Sequence, residues 1–365
     1  MDFAFSEEQE MLRASARSFL KDKFSTDRVA ELAESSEGWD PASWRQIGEL
    51  GWIGLSAPED AGGSGMSFLD EAVLFEELGY ALYPGPYLMT VAGCLPALAG
   101  APTLLGRVAS GESAATFAVH ESDRSLAPAP PGEPLETTAT QDGGWKLSGT
   151  KINVRDAGSA DLFTVLASAP AGWGLWAVER SAADVEVLSS MDATRPLGRI
   201  VLDGAPGECL VEPGSAQPVL RETGLRMTTA LALESVGIAQ KALDLALAHA
   251  SERTQFGKPI GSYQAVSHQI ADTYMGVELA RSLAYWAAWC VSQDDEQAQP
   301  ASAAAKSLAS EVAVEACERS IQVHGGIGFT WEHILHRLYK RAQGNALFSG
   351  TPAFHRAQIA AELLA

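Results

Sequence analysis

Two stretches of this chain carry residues suited to holding a phosphate-bearing ring system. In E-R-T-Q-F-G-K-P-I-G-S-Y-Q-A (252–265), Arg253 offers a planar guanidinium that can grip a phosphate through two parallel N–H bonds. In the same stretch Phe256 offers an aromatic face, Gly257 allows close backbone approach, and Gln264 both donates and accepts hydrogen bonds. In Q-V-H-G-G-I-G-F-T-W-E-H (322–333), Gln322 precedes Gly325-Gly326, a surface without side chains against which a dinucleotide can lie. The competing reading pairs Arg253 with Glu252 or Glu222 and makes Gly325-Gly326 a turn that ends a helix. The joint presence of both motifs weighs against it.

A third stretch, L-F-S-G-T (347–351), is a short glycine-containing turn between helical segments, with Ser349 at its centre. Turns on a rigid scaffold present reactive groups, but a serine hydroxyl with no adjacent base takes no proton at neutral pH. His333 and His336, spaced i, i+3 and read as one helix face, lack the third and fourth ligands a metal requires. His324 reads as a helix C-terminal cap. G-G-S-G (62–65) fits neither a nucleophile elbow nor a phosphate loop.

The elements that must position these groups change character twice. Residues 1–112 read as helical. Ser6-Glu7-Glu8-Gln9 fits a capping box after Phe3 and Phe5, and Met11, Leu12, Phe19 and Leu20 follow at helical spacing. Further helices are predicted over Pro41–Leu50 and Leu69–Leu78, parted by the turn P-E-D-A-G-G-S-G (58–65). Residues 113–218 hold a proline cluster at 128–134 and a D-G-G turn at 142–144. Five short β-forming runs follow, at 145–147, 151–154, 162–166, 175–178 and 185–188, and predict an antiparallel sandwich or barrel. From 219 to 365 long helices return, over 228–254, 262–292 and 301–324, and predict an antiparallel bundle. The fold class is therefore α+β and multi-domain, ordered helices, β domain, helical bundle, which matches neither a Rossmann domain nor a TIM barrel.

Bulk properties narrow the partners. The 365 residues are 46% hydrophobic, enough for a large core, and carry a formal charge of −20. Such a chain repels nucleic acid and anionic lipid. Cys94, Cys209, Cys290 and Cys317 are scattered with no C-x-x-C pair, which points to reduced thiols and a cytoplasmic setting. There is no basic-then-apolar leader and no apolar run of about 20 residues.

Together with F-S-E-E-Q-E-M-L-R (5–13) and P-E-D-A-G-G-S-G-M (58–66), the 252–265 and 322–333 motifs strongly resemble the acyl-CoA dehydrogenase family of flavoenzymes, over nearly the whole chain. The resemblance implies N-terminal helices, a middle β domain, a C-terminal four-helix bundle and dimer-of-dimers assembly. It implies that Arg253, Gln255, Phe256, Gln264, Gln322, Gly325, Gly326 and Thr351 contact an FAD, the first seven reaching the adenosine diphosphate half of a cofactor held largely by a neighbouring subunit. It also implies an acyl-CoA substrate, a carboxylate that removes the proton α to the thioester, and hydrogen bonds to the thioester oxygen.

Against that pattern the chain has losses. Ser349 stands where most members carry a glutamate base, and Met227 stands at the alternative position. Glu234, two helical turns beyond Met227, is a displaced candidate, although a buried structural role suits it better. The flavin- and thioester-binding run of the β domain aligns with A-V-H-E-S-D-R-S-L-A-P (118–128), where His120 replaces a hydroxyl. The run that presses on the flavin ring aligns with N-V-R-D (153–156). These losses imply an α2β2 complex with a homologous, catalytically complete subunit, as in bacterial dehydrogenases of bulky, steroid side-chain CoA esters. The rival expectations are a non-enzymatic structural or regulatory subunit, or a homo-oligomeric enzyme with an unusual base, Glu234 or Glu121, or with altered chemistry such as oxygen-dependent oxidation.

Overall fold

The computed structural model describes residues 5–121 and 135–364. Phe3, the proline cluster at 128–134 and the 122–128 part of the flavin-run alignment lie outside the described residues. Six helices come first: α1 (Glu7–Lys23), α2 (Thr26–Glu34), α3 (Pro41–Glu49), α4 (Phe68–Tyr80), α5 (Leu95–Leu98) and α6 (Pro102–Ala109). The capping box of α1 forms as its sequence dictates: Ser6 Oγ accepts from the Gln9 N–H and Gln9 Oε1 accepts from the Ser6 N–H. Asp40 caps α3, with Pro41 in the first turn.

Strands β1 (Ala115–Ala118), β2 (Thr138–Gln141), β3 (Trp145–Arg155), β4 (Leu162–Ala169), β5 (Gly172–Glu179), β6 (Asp184–Leu188) and β7 (Leu197–Val211) form one sheet. Its path β4–β2–β3–β7–β5 closes on itself through β4–β5 pairing, giving a small barrel around Leu147, Phe163, Val165, Trp176, Val178 and Ile200. The 145–147 and 151–154 runs are one strand, β3, broken by two register shifts. The pairing is antiparallel except beside β4, where β1 and the first residue of β2 run parallel to it. A parallel neighbour needs a crossover, and here the β2–β3 hairpin lies within the connection from β1 to β4. β1 reads A-T-F-A, is buried at all four positions and shows no alternation, so patterning could not flag it.

The chain then enters α7 (Ala216–Glu252), a 37-residue helix about 55 Å long at 1.5 Å per residue. A short hairpin, β8 (Thr254–Gln255) and β9 (Lys258–Pro259), leads to α8 (Gln264–Ser292), α9 (Ala298–His324), α10 (Leu335–Leu347) and α11 (Pro352–Leu363). No helix of the described residues is long and apolar enough to cross a membrane.

By packing, the chain divides into two compact units. One combines the chain up to Glu31 with Ala72–Tyr83 and everything from Thr228 onward; the other combines Leu32–Glu71 with Pro84–Met227. In the first unit, α4 and α7 meet backbone to backbone. A Cβ on Gly237 would stand 2.0 Å from the Glu76 carbonyl oxygen, and one on Gly79 would stand 2.2 Å from that of Glu234. Beside this crossing, Glu76 binds Arg13 of α1 and both Arg281 and Tyr285 of α8. Gly237→Ala is therefore expected to lower unfolding stability by about 1–3 kcal/mol, the usual cost of overpacking. Urea denaturation of native and variant chains would check this; an unshifted midpoint would contradict the contact.

Candidate functional site

At one end of the bundle, the C-termini of α7 and α9 and the N-terminus of α8 bring the two nucleotide motifs together. The ring of His249, four residues before Arg253, stacks on that of His324, which adjoins Gly325, at 4.3 Å between centroids. His333 extends the stack at 4.6 Å from His324. Burial first, then the neighbouring imidazoles, lowers the pKa values of His249 and His333. His324 closes α9 by donating from Nδ1 to the Ser320 carbonyl at 2.8 Å, the expected capping role. The structure corrects the expectation of one helix face for His333 and His336. Helix α10 starts at Leu335, and His333 lies ahead of it, with Nδ1 accepting from the Leu335 N–H.

Phe256 and Gly257 form the two-residue loop of the β8–β9 hairpin, both with positive φ (52° and 81°), as a type I′ turn demands. A phenylalanine there costs on the order of 1 kcal/mol. Its ring is 92% exposed, so the strain is not repaid by burial within this chain. Arg253, Gln255, Gln264 and Gln322 are exposed, and their side chains make no hydrogen bond or ion pair among the described residues. Among the described residues Arg253 forms no ion pair with Glu252, while Gly325, with its positive φ, does end α9 as the competing reading expects. Gly325 (φ +65°) and Gly326 have open space where a Cβ would project. Ile327, Phe329 and Trp331 add exposed apolar surface to the same segment. An unpaired guanidinium, a free aromatic face, bare backbone and two amides fit the phosphate and adenine end of a dinucleotide.

The L-F-S-G-T turn keeps a defined shape and has no carboxylate in it. Ser349 is 5% exposed and has φ +58°. His355 Nε2 donates to its carbonyl at 3.0 Å. Fully buried Lys306 donates to the carbonyls of Asn345 in α10 (2.7 Å) and Gly350 (3.3 Å), so cation and imidazole hold the turn at Gly350 and Ser349. A side chain at Gly350 would meet Phe354 at 2.5 Å. The hydroxyl of Thr351 caps α11, accepting from the Phe354 N–H. Sequence spacing gave no sign of Lys306, which comes from α9.

Glu234 is 2% exposed, with Oε1 accepting from Arg341 (2.9 Å) and Oε2 from Asn345 (2.8 Å). Both oxygens serve cross-helix donors, as a structural carboxylate's would. Met227 is buried, and neighbouring Arg226 is paired with Glu71 at 2.7 Å.

In the β unit, Glu121 accepts from Lys151 Nζ at 2.5 Å and from the backbone N–H groups of Glu136 and Thr137. Burial would raise its pKa, but Lys151 and these donors outweigh it and hold Glu121 below the usual carboxylate range. Lys151 is fully buried, and burial brings its pKa down to about 8 against the pull of Glu121. Asn153 and Asp156 both take positive φ in the N-V-R-D run. A closed ion pair with its own donors thus ties Glu121, in the 118–128 stretch, to Lys151, two residues before the N-V-R-D run.

Comparisons with known proteins agree with these motifs. The family profile described as "Acyl-CoA dehydrogenase, C-terminal domain" matches residues 223–364, and that described as "Acyl-CoA dehydrogenase, N-terminal domain" matches residues 6–102. The chain is 32% identical to "Acyl-CoA dehydrogenase IpdE2" of Mycolicibacterium smegmatis, covering 98% of this chain and 99% of the relative. Among solved structures it resembles a variant of the "Tcur3481-Tcur3483 steroid ACAD" (30% identity, TM-score 0.86, 98% of each chain). It also resembles the "ChsE4-ChsE5 complex from Mycobacterium tuberculosis" (27% identity, TM-score 0.89, 100% of this chain and 99% of the other).

Burial, then Lys151 and Arg155, lowers the pKa of His120 from 6.5 to about 4. The folded state therefore binds this proton less readily than the unfolded chain. The neutral imidazole's contribution is complete above pH 6.5 and is lost as pH falls toward 4. At pH 5 the loss is on the order of 2 kcal/mol. His120→Gln is expected to flatten the fall in melting temperature between pH 7 and pH 5; an unchanged slope would reject the assignment.

Proposed function

The chain belongs to the acyl-CoA dehydrogenase family, and from that premise we propose that it is one subunit of a heteromeric, FAD-dependent dehydrogenase that introduces an α,β double bond into a bulky CoA ester. One contrast carries the reading. The residues suited to the nucleotide end of FAD are exposed and unpaired, while the proton-acceptor position is a serine and the ring-side position holds a buried ion pair. When bound, FAD supplies the two-electron oxidant that accepts the β-hydride. Arg253 holds a phosphate, Phe256 covers the adenine side, and Gln322 with Gly325-Gly326 lets the pyrophosphate lie against backbone. The partner, a homologous subunit, contributes the α-proton acceptor and the flavin-ring contacts. The relatives support this: one resembled structure is described as the "ChsE4-ChsE5 complex" and another as the "Tcur3481-Tcur3483 steroid ACAD". The second description favours an acyl group of steroid side-chain type as the substrate class.

The homo-oligomeric alternative needs a base within this chain, and both candidates are committed elsewhere: Glu234 to Arg341 and Asn345, and Glu121 to Lys151. The scaffold alternative differs in having no cofactor contact.

The test is to purify the chain alone and co-expressed with a homologous acyl-CoA dehydrogenase subunit from the same organism, recording flavin absorbance, size and dye-linked turnover. Colour and turnover are expected only in the mixture. In the complex, Arg253→Ala should weaken FAD retention about tenfold to a hundredfold, the worth of a charge-assisted bidentate contact. Ser349→Ala should leave turnover nearly unchanged. Flavin and turnover from the isolated chain would overturn the reading, and turnover equal to that of the partner alone would leave only the scaffold role.

A further inference from the structure

Three imidazoles stand where the two nucleotide motifs meet, and the proposed dehydrogenase chemistry uses none of them. His249 comes from the last turn of α7, His324 is the last residue of α9, and His333 lies in the loop ahead of α10. All belong to the unit that includes everything from Thr228 onward. His324 sits between the other two, its ring centroid 4.3 Å from that of His249 and 4.6 Å from that of His333. All three side chains are half-buried, so solvent protons reach them.

The stack closes both ends of one segment. From His324 to His333 the chain runs through Gly325-Gly326 and the exposed Ile327, Phe329 and Trp331. At its start, His324 Nδ1 donates to the Ser320 carbonyl (2.8 Å). At its end, His333 Nδ1 accepts from the N–H of Leu335 (3.3 Å), the first residue of α10. Between them Gly328 is pressed back onto the helix end: a Cβ there would stand 2.8 Å from the Ile321 carbonyl oxygen and 2.9 Å from the Cβ of His324. His249 then ties this closed segment to α7 one turn before Arg253.

These bonds suit neutral rings. A proton added to His333 must enter at Nδ1, which turns the acceptor for the Leu335 N–H into a second donor facing it. Two charged rings at these separations also repel each other. Burial and the neighbouring imidazoles hold the pKa values of both His249 and His333 below 6.5. The other charged groups acting on His249 are Arg253, which disfavours its proton, and Glu252, which favours it. Beside His333, Glu332 is bound to Thr330, and His336 of α10 packs on Trp331. The neutral stack's contribution is therefore complete above pH 6.5 and is lost as pH falls through the lowered values.

We propose that His249, His324 and His333 are positioning residues for the nucleotide half-site, a proton-sensitive clasp that keeps the Gly325-Gly326 turn in register with Arg253. Taking up protons parts the clasp and weakens the grip on a diphosphate. Each proton also adds a charge that attracts phosphate, but at an exposed end of the bundle that attraction is screened by solvent and salt, whereas loss of register removes several contacts together. The clasp takes its purpose from the half-site reading and its geometry from the stack alone.

Two measurements on the full chain test this. In the first, histidine labelled with carbon-13 at Cε1 is followed by NMR from about pH 8 to about pH 5, with the rings assigned by single substitutions. His249→Gln is expected to raise the titration midpoint of His333, because a like charge leaves the stack; an unmoved midpoint overturns the clasp. In the second, ADP-ribose is the probe, since its diphosphate is esterified at both ends and keeps its charge over this range. By calorimetry its affinity is expected to fall about tenfold between about pH 7.5 and about pH 5.5. His333→Asn still offers an oxygen to the Leu335 N–H but takes no proton, and should reduce that fall to about threefold or less. If this variant fails to fold by circular dichroism, His249→Gln replaces it and should also shrink the fall. An affinity that does not drop with pH, or a drop that survives whole in the folded variant, overturns the proposal. No ADP-ribose binding at either pH would reject the half-site reading and the proposed purpose with it, whereas the ring titrations judge the clasp without any nucleotide.

Discussion

Glu234 takes hydrogen bonds on both carboxylate oxygens from α10, and that contact is the start of a chain of contacts that reaches the turn around Ser349. Its partner Arg341 is fully buried and also reaches the Tyr83 carbonyl, three residues beyond α4. Its other partner, Asn345, passes the connection on, because the Asn345 carbonyl accepts from Lys306, which also holds the Gly350 carbonyl. A carboxylate on α7 is thus linked through α10 and a lysine on α9 to the loop around Ser349. Removing one member of such a buried pair costs about 3–5 kcal/mol, because the remaining charge loses its partner. The same carboxylate cannot serve as a mobile proton acceptor, so the demands of the core and of catalysis compete for it.

The β unit solves a similar problem differently. Lys151 on β3 and Glu121 beyond β1 are 30 positions apart in sequence and close a buried ion pair inside the second unit. The pair is completed by two backbone N–H donors from the segment leading into β2. The barrel retains its hydrophobic centre, while the strand end that carries N-V-R-D is bent by two positive-φ residues. The scaffold of this unit is therefore held by its hydrophobic centre and by one buried ion pair.

Local physics was readable before any coordinates. Ser6 and Gln9 announced their capping box, and the helical spacing of the bundle was plain. What stayed hidden was non-local. Nothing in A-T-F-A foretells a strand parallel to β4, since a short apolar run has no period to read. Lys306 sits in an alanine-rich helix as one polar residue among small ones, and its purpose appears only when the carbonyls of Asn345 and Gly350 come to meet it. The Gly79–Gly237 crossing escaped for the same reason: a glycine in a helix is legible as a cost, but its reward lies on another helix.

The exposed segment comprising Phe256, Ile327, Phe329 and Trp331 has a consequence for the cell as well as for the site. Side chains of this kind are tolerated in water only while something soon covers them. Under the proposed pairing, a copy made in excess of its mate would carry a permanently adhesive end and would be sorted by chaperones and proteases as an orphan. Balanced synthesis of the two polypeptides then becomes a physical requirement, set by four uncovered hydrophobic residues.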